Sequence, residues 1–244
     1  MNSTLKLTIF SFASFIFLFI VLFLSKKLIK KEKTKDMMIL VSSIVTIIVH
    51  YSILLWQWTH HLKVEFTDNM YLPVYPCNAI MWMCLVLSFL PKKSNAFSYL
   101  ADFVAIVGTI CSAVGLCFNF NFYDNPNLLD FDILKGLVSH VTMLYTTLYL
   151  FVMGYVKINT FHNIKSCLMG CVLFILCGVV SITVKKILGQ NFVNSFFLII
   201  DWNKPYYNFY FIIIVGLPLL FLLFTLYETI FYKKENRWYY KENK

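Results

Sequence analysis

Residues 7–24, LTIFSFASFIFLFIVLFL, run eighteen positions without a charge and stop against SKKLIKKEKTK at residues 25–35. A second apolar run, MMILVSSIVTIIVHYSILLWQW, follows at once over residues 37–58. A helix needs roughly 20 largely apolar residues to cross a hydrocarbon core of about 30 Å. Two such runs flanking a lysine-rich hinge are therefore a membrane hairpin, and the hinge is its anchor. The first run has a single lysine before it, Lys6, and no small-residue cleavage site after it, so it reads as a span rather than a removed leader.

The pattern repeats along the chain. Further apolar blocks lie near residues 71–90, 99–118, 137–156, 164–184 and 206–231. The expectation is an all-α, polytopic membrane protein: one transmembrane domain over residues 1–244, a bundle of seven helices. The runs are continuous, whereas barrel strands would alternate in roughly ten-residue segments. Composition agrees. The 244 residues are 59% hydrophobic and 14% charged, with a mean hydropathy of +0.72; a soluble domain sits near about 45–50% and 25%. Pro218 lies inside the last block, where a kink is expected.

Charge orients the bundle. With the 25–35 segment inside, the inner segments hold fifteen Lys and Arg residues and the outer ones six. Cytoplasmic loops carry such an excess, so the N-terminus is expected outside, the C-terminus in the cytoplasm, and the protein in the cell membrane. Lys185 and Lys186, at the outer end of the sixth block, fit least well, and a re-entrant sixth block would change the last third. The net charge of +9 does not point to nucleic acid: it lies in short loops, and Arg237 is the sole arginine, the residue suited to bidentate phosphate and base contacts. Membrane lipids are the expected partners. The sequence carries no signal of oligomeric state.

The seven cysteines form no C-x-x-C pair, so neither a metal site nor a cofactor is signalled. One stands out. In Tyr71-Leu-Pro-Val-Tyr75-Pro76-Cys77-Asn78, a proline immediately precedes Cys77. Proline suits a first helical turn, which puts Cys77 where unpaired N–H groups and the helix dipole favour a thiolate or a developing oxyanion. Burial opposes this, so the thiol needs a base. His162 falls in an inner loop, on the opposite side. His50 is deep in the second helix and reads as a packed polar residue. His60 and His61 end that helix on the outside. His140 lies a few residues inside the outer end of the fifth helix, roughly 5–9 Å below the interface and level with Cys77. A Cys77–His140 pair is geometrically allowed, and so are the packing roles that cysteine and histidine play in membrane helices. Asp102, near the inner end of the fourth helix, reads as an interfacial charge.

The Leu72-Pro-Val-Tyr75-Pro-Cys77-Asn78 stretch resembles the L-P-L-H-L-C element of the YwaF-like integral membrane proteins of bacteria. Other pieces fall in matching order. A second helix rich in histidine and tryptophan precedes it. Ser139-His140 leads to Leu144-Tyr145 and Leu148-Tyr149, and Gly189-Gln-Asn191-Phe with Lys204-Pro205 is similar to a G-x-N-Y-M … K-P loop. The resemblance covers most of residues 45–230. That family is related to an animal integral membrane acyltransferase of ether phospholipids with a cysteine acyl-enzyme. The resemblance implies Cys77 as nucleophile, His140 as the helix histidine and Asn191 as the asparagine of the late loop, with Tyr75, Asn78, His60 and His61 as supporting or substrate-binding groups. Tyr75 stands where the family has a histidine, which shifts the base's role to His140, His60 or His61. The competing expectation is a transporter or substrate-binding subunit for a small, largely apolar solute; few central charges speak against ion coupling.

Overall fold

The computed structural model describes residues 3–65, 68–117, 127–128, 130–189, 195–200, 202 and 208–240. Among these, seven long helices and no strand occur: α1 (Ser3–Leu28), α2 (Glu32–Thr59), α3 (Pro76–Phe89), α4 (Asn95–Cys117), α5 (Phe131–Val152), α6 (Thr160–Ile187) and α7 (Phe209–Phe231). Five of them, α1, α2, α4, α6 and α7, are long and apolar enough to cross a membrane. α5 is 22 residues long but carries Asp132 and Lys135 in its first two turns, and α3 has only 14 residues.

Local chemistry sets the ends. The Asp130 side chain accepts from the Asp132 N–H and caps α5; Asn159 accepts from the His162 N–H and caps α6. α5 thus begins six residues before its apolar block, because its first turn is polar and capped. α3 departs the other way. The apolar block starts at residue 71, yet the helix starts at Pro76, with Tyr75 as an extended N-cap. Residues 72–75 are non-helical, and the Val74 carbonyl accepts from the Phe196 N–H at 2.9 Å. Pro91 closes the far end, since a residue before proline avoids the α region and Leu90 is extended. At 1.5 Å per residue α3 spans roughly 21 Å. α6, by contrast, is one continuous helix of 28 residues through both lysines; Lys185 turns inward and is buried while Lys186 is exposed. α7 continues through Pro218.

α2 packs on α3 and α5, and α4 packs on α3, α5 and α6. α1 leans on α5, and α7 lies against α6 at the edge. Large apolar side chains such as Phe12, Phe19, Ile48 and Leu222 remain exposed on the outside of the bundle, as lipid-facing side chains do. Lipid tails are as apolar as leucine, so association of such helices depends on close packing and interhelical hydrogen bonds rather than on the hydrophobic effect. Both are present. Ser25 bonds Tyr145 at 3.0 Å, Thr109 donates to Thr147 at 3.1 Å, and Tyr155, in the α5–α6 loop, donates to Asp36 at 2.6 Å. Burial, with Asp36 beside it, pushes the Tyr155 phenol above its ordinary range.

Glycine supplies the close packing. A methyl group on Gly170 of α6 would lie 2.0 Å from Phe103 Cδ2 on α4, and one on Gly178 would lie 2.4 Å from Leu198 Cδ1. One on Gly216 of α7 would meet nothing nearer than Ile212 at 3.9 Å. Gly170→Ala is therefore expected to destabilise the detergent-solubilised protein by about 1–3 kcal/mol through overpacking, while Gly216→Ala leaves it unchanged or slightly stabler. Thermal unfolding of the two variants side by side checks this; equal midpoints would show that α4 and α6 do not meet at that glycine.

Candidate functional site

One face of α4 organises the end of the bundle that carries Cys77. Gly108 leaves a notch filled from both sides: a methyl group there would lie 2.9 Å from Ile80 Cγ2 on α3 and 2.7 Å from Thr147 Cγ2 on α5. Two turns along, a methyl group on Gly115 would lie 2.2 Å from both Cδ2 and Nε2 of His140. Ser112, between them, bonds back to the Gly108 carbonyl and keeps the face narrow.

Cys77 can be placed on this scale. α3 and α4 are consecutive and run in opposite directions. Stepping back one turn from Ile80 reaches Cys77, and stepping forward one turn from Gly108 reaches Cys111. The two thiols are close enough to interact electrostatically, and Cys111 interacts likewise with Cys171 of α6. Cys77 therefore lies level with Cys111, and the His140 ring lies level with Gly115, four residues or roughly 6 Å further along. Both flank the α4 face where α3 and α5 converge.

Each side chain is held in a defined state. The Asn78 and Ala79 N–H groups both donate to the Tyr75 carbonyl, at 3.0 and 3.3 Å, and close the turn that carries Cys77. His140 is buried, and its Nδ1 lies 2.7 Å from the Gly136 carbonyl oxygen. A carbonyl can only accept, so Nδ1 carries the proton; in the neutral form of the ring the lone pair is then on Nε2. That nitrogen is the one lying over Gly115.

The other sequence candidates are distributed unevenly. Tyr75 caps α3, and its ring centroid is 6.4 Å from that of Phe197. Asn78 is buried one residue beyond Cys77, and its Oδ1 has no hydrogen-bond partner among the described residues. His60 lies on the Trp56 ring and is 2.9 Å from the Trp56 carbonyl oxygen; it and His61 are exposed at the end of α2. Neither makes a hydrogen bond or ring contact with Cys77. His50 is buried, edge-on to Tyr51 at 5.3 Å. Asn191 lies outside the described residues. No group of three or more His, Cys, Asp or Glu with metal-binding geometry occurs among the described residues.

The opposite end holds a polar cluster that hydropathy alone does not display. Asp102 is buried inside the bundle. Its Oδ2 accepts from Asn163 Nδ2 at 2.8 Å and Ser166 Oγ at 3.1 Å, and lies 3.2 Å from His162 Nε2. His162 sits in the first turn of α6, not in a loop, and its Nε2 is also 2.9 Å from Ser98 Oγ. Asp, His and Ser here do not form a catalytic relay, which needs the acid and the hydroxyl on opposite ring nitrogens; both meet Nε2. Nearby, Glu228 of α7 is buried and accepts from Thr160 N and Oγ1 at 2.7 and 2.8 Å through Oε1, and from Trp238 N at 3.0 Å through Oε2. These charges are paired inside the protein, as intramembrane charges must be. The sequence signal was present in the i, i+3 spacing of Asn163 and Ser166, but their partner is more than sixty residues away.

Helices of this length and polarity, with lipid-facing apolar sides and buried, paired charges, define a multi-pass membrane protein. The chain belongs to the TMEM164 family, whose model matches residues 2–228. Comparison with curated proteins and with solved structures returns no match.

The α3–α4 register can be tested directly. In a chain retaining only Cys77 and Cys111, a short bifunctional thiol reagent is expected to bridge the two, read as an internal cross-link by mass spectrometry. A chain retaining Cys77 and Cys167, which lies beside Asp102, should give two separate adducts. The reverse pattern would refute the register.

Proposed function

We propose that the protein is a membrane acyltransferase that works through a Cys77 acyl-enzyme on phospholipid and lysophospholipid. The observation that carries this reading is the shared α4 face, with Cys77 and His140 on adjacent levels of it and His140 holding its lone pair on Nε2. The resemblance of the Cys77 element to YwaF-like proteins, and through them to an ether-phospholipid acyltransferase, supports the same assignment.

In this reading His140 Nε2 takes the Cys77 thiol proton, and Sγ attacks the acyl carbonyl of a phospholipid ester. The carbon–sulfur bond forms, the ester carbon–oxygen bond breaks, and the leaving alcohol recovers the proton from His140. A thioester remains. The hydroxyl of a lysophospholipid then attacks it, giving its proton to His140, and Sγ leaves as the thiolate that takes the proton back. Two moderate barriers replace one high one. The Cys77 N–H, at the positive end of α3, receives the tetrahedral oxyanion. Tyr75 cannot serve as a base at neutral pH, so His140 fills the place of the histidine that relatives carry there. The excess of basic residues at the opposite end supports a site at the outer leaflet.

Purified protein incubated with a fluorescent acyl phospholipid should acquire a hydroxylamine-sensitive label at Cys77. Cys77→Ala should lose it entirely, and His140→Ala should form it about a hundredfold more slowly, the range typical of a lost general base. Gly115→Ala, which touches no substrate, should resemble His140→Ala because its methyl group displaces the ring. Undiminished labelling of Cys77→Ala would sink the proposal.

A further inference from the structure

Buried charge is sorted by sign along the bundle. Among the described residues the buried acids, Asp102 and Glu228, both lie at the end away from Cys77. The buried lysines, Lys135 and Lys185, both lie at the Cys77 end. Lys185 is one turn beyond Ser181, which bonds the Pro73 carbonyl in the segment that feeds α3. Lys135 is in the second turn of α5, five residues before His140 and near enough to act on it electrostatically. Five residues are roughly 7.5 Å of helix rise, so Lys135 stands between His140 and the end of the bundle.

Lys135 is buried but incompletely bonded. It is 9% exposed, and its Nζ lies 2.7 Å from Asp132 Oδ1. Asp132 is its one hydrogen-bonding partner among the described residues, and that side chain is 69% exposed. An ammonium has three N–H groups to place, and a charge taken out of water is costly unless it is paired and bonded. The acids at the opposite end are treated differently. Asp102 meets Asn163, Ser166 and His162, and Glu228 meets two groups of Thr160 and the Trp238 N–H. Those anions are locked into the protein, whereas the Lys135 cation is covered by a water-facing carboxylate.

The position of Lys135 on α5 relates it to the site. Phe131, one turn earlier, stacks on Trp56 of α2 with ring centroids 5.4 Å apart. Lys135 is therefore on the α2 side of α5, and His140 is on the α4 side, over Gly115. The side of α5 between them, with Gly136 and Ser139, is buried. α2 and α4 each pack on both α3 and α5, so this side faces α3, the helix of Cys77.

A cation beside the reacting pair, with an anion that water can take back, suits a substrate that brings its own anion. In a glycerophospholipid a glycerol unit separates the phosphate from the ester carbonyls, which leaves a carbonyl for Cys77 and His140 while the phosphate meets the ammonium. We propose that Lys135 binds the phosphate of the phospholipid substrate in place of Asp132, and so selects phospholipid over neutral acylglycerol; this rests on the acyl-enzyme reading above. Lysine serves phosphate as a point charge, and Lys185 adds to the positive potential of this end. The exchange balances in charge: one anion leaves the ammonium for water as another arrives.

The test uses the full chain in non-ionic detergent micelles free of other phospholipid. Three donors carry the same fluorescent acyl chain: phosphatidylcholine, phosphatidic acid and diacylglycerol. The rate of labelling at Cys77 is measured for each. In the wild-type protein both phosphate-bearing donors should label about tenfold faster than diacylglycerol, the size of one charge-assisted contact. Lys135→Met should bring the three rates together, and Lys135→Arg should keep them apart. Asp132→Asn, which removes the competing carboxylate, should widen the preference for phosphate. Equal rates from the three donors in the wild-type protein would overturn the anchor. So would a loss shared equally by all three in Lys135→Met, which marks a structural role, or a preference for phosphatidylcholine that phosphatidic acid does not share, which marks recognition of choline. Should Lys135→Met fail to fold, Asp132→Asn still decides, since a preference that stays the same or narrows rules out the exchange. A wild-type protein that takes label from no donor would overturn the acyl-enzyme reading itself, and the anchor with it.

Discussion

The whole arrangement depends on α4 having a face with almost no side chains. In lipid, helices gain little by merely hiding apolar surface from one another, and they need contacts short enough for dispersion to count. Gly108 and Gly115 provide them: Ile80 and Thr147 fill one notch, and the His140 ring fills the other. Because α3 and α5 both dock on this face, their sequence-distant residues acquire fixed relative heights. Replace the glycines in thought with leucines and α3 and α5 swing apart, and no relation between Cys77 and His140 survives. The same logic recurs one helix further on, where Gly170 receives Phe103 and Gly178 receives Leu198.

The five long apolar helices were legible because the bilayer imposes a length, and an apolar run of that length has few other readings. Ends were less so. The third block reads as apolar from residue 71, but Pro73 and Pro76 cannot donate to a helix, and the Val74 carbonyl is claimed by Phe196, so α3 waits until Pro76. The fifth helix starts early for the opposite reason: Asp130 and Asp132 look like loop residues by hydropathy and act as cap and first turn. Direction and rise put Cys77 and His140 on one level, whereas the glycine notches of α4 set the His140 ring about one turn, roughly 6 Å, further along. That Gly115 makes room for the histidine was not legible, since a small residue in a helix looks the same whether it faces lipid or an imidazole. The partnerless state of Asn78 Oδ1 was likewise invisible, because it is a property of surroundings and not of spacing.

The two ends of the bundle differ in how they treat polarity. Around Asp102 every group finds a partner: Asn163, Ser166, His162 and Ser98 form a closed network, and Glu228 is met by Thr160 and Trp238. Closed networks of this kind fix geometry. Beside Cys77 the polar groups are fewer, and Asn78 Oδ1 has no hydrogen-bond partner among the described residues.

Glu228 also has a practical consequence for how the chain can be cut and joined. The family match stops at residue 228 and α7 at Phe231, which invites truncation or a fusion junction directly after the helix. The carboxylate, however, depends on a residue beyond that point. Trp238 donates its backbone N–H to Glu228 Oε2 and its indole N–H to Thr225, and its ring lies against Phe161 and Phe221. The segment through Tyr240 is a keystone laid over the seam between α6 and α7. A tag or partner protein belongs after it, and a junction placed earlier would strand one oxygen of a buried anion.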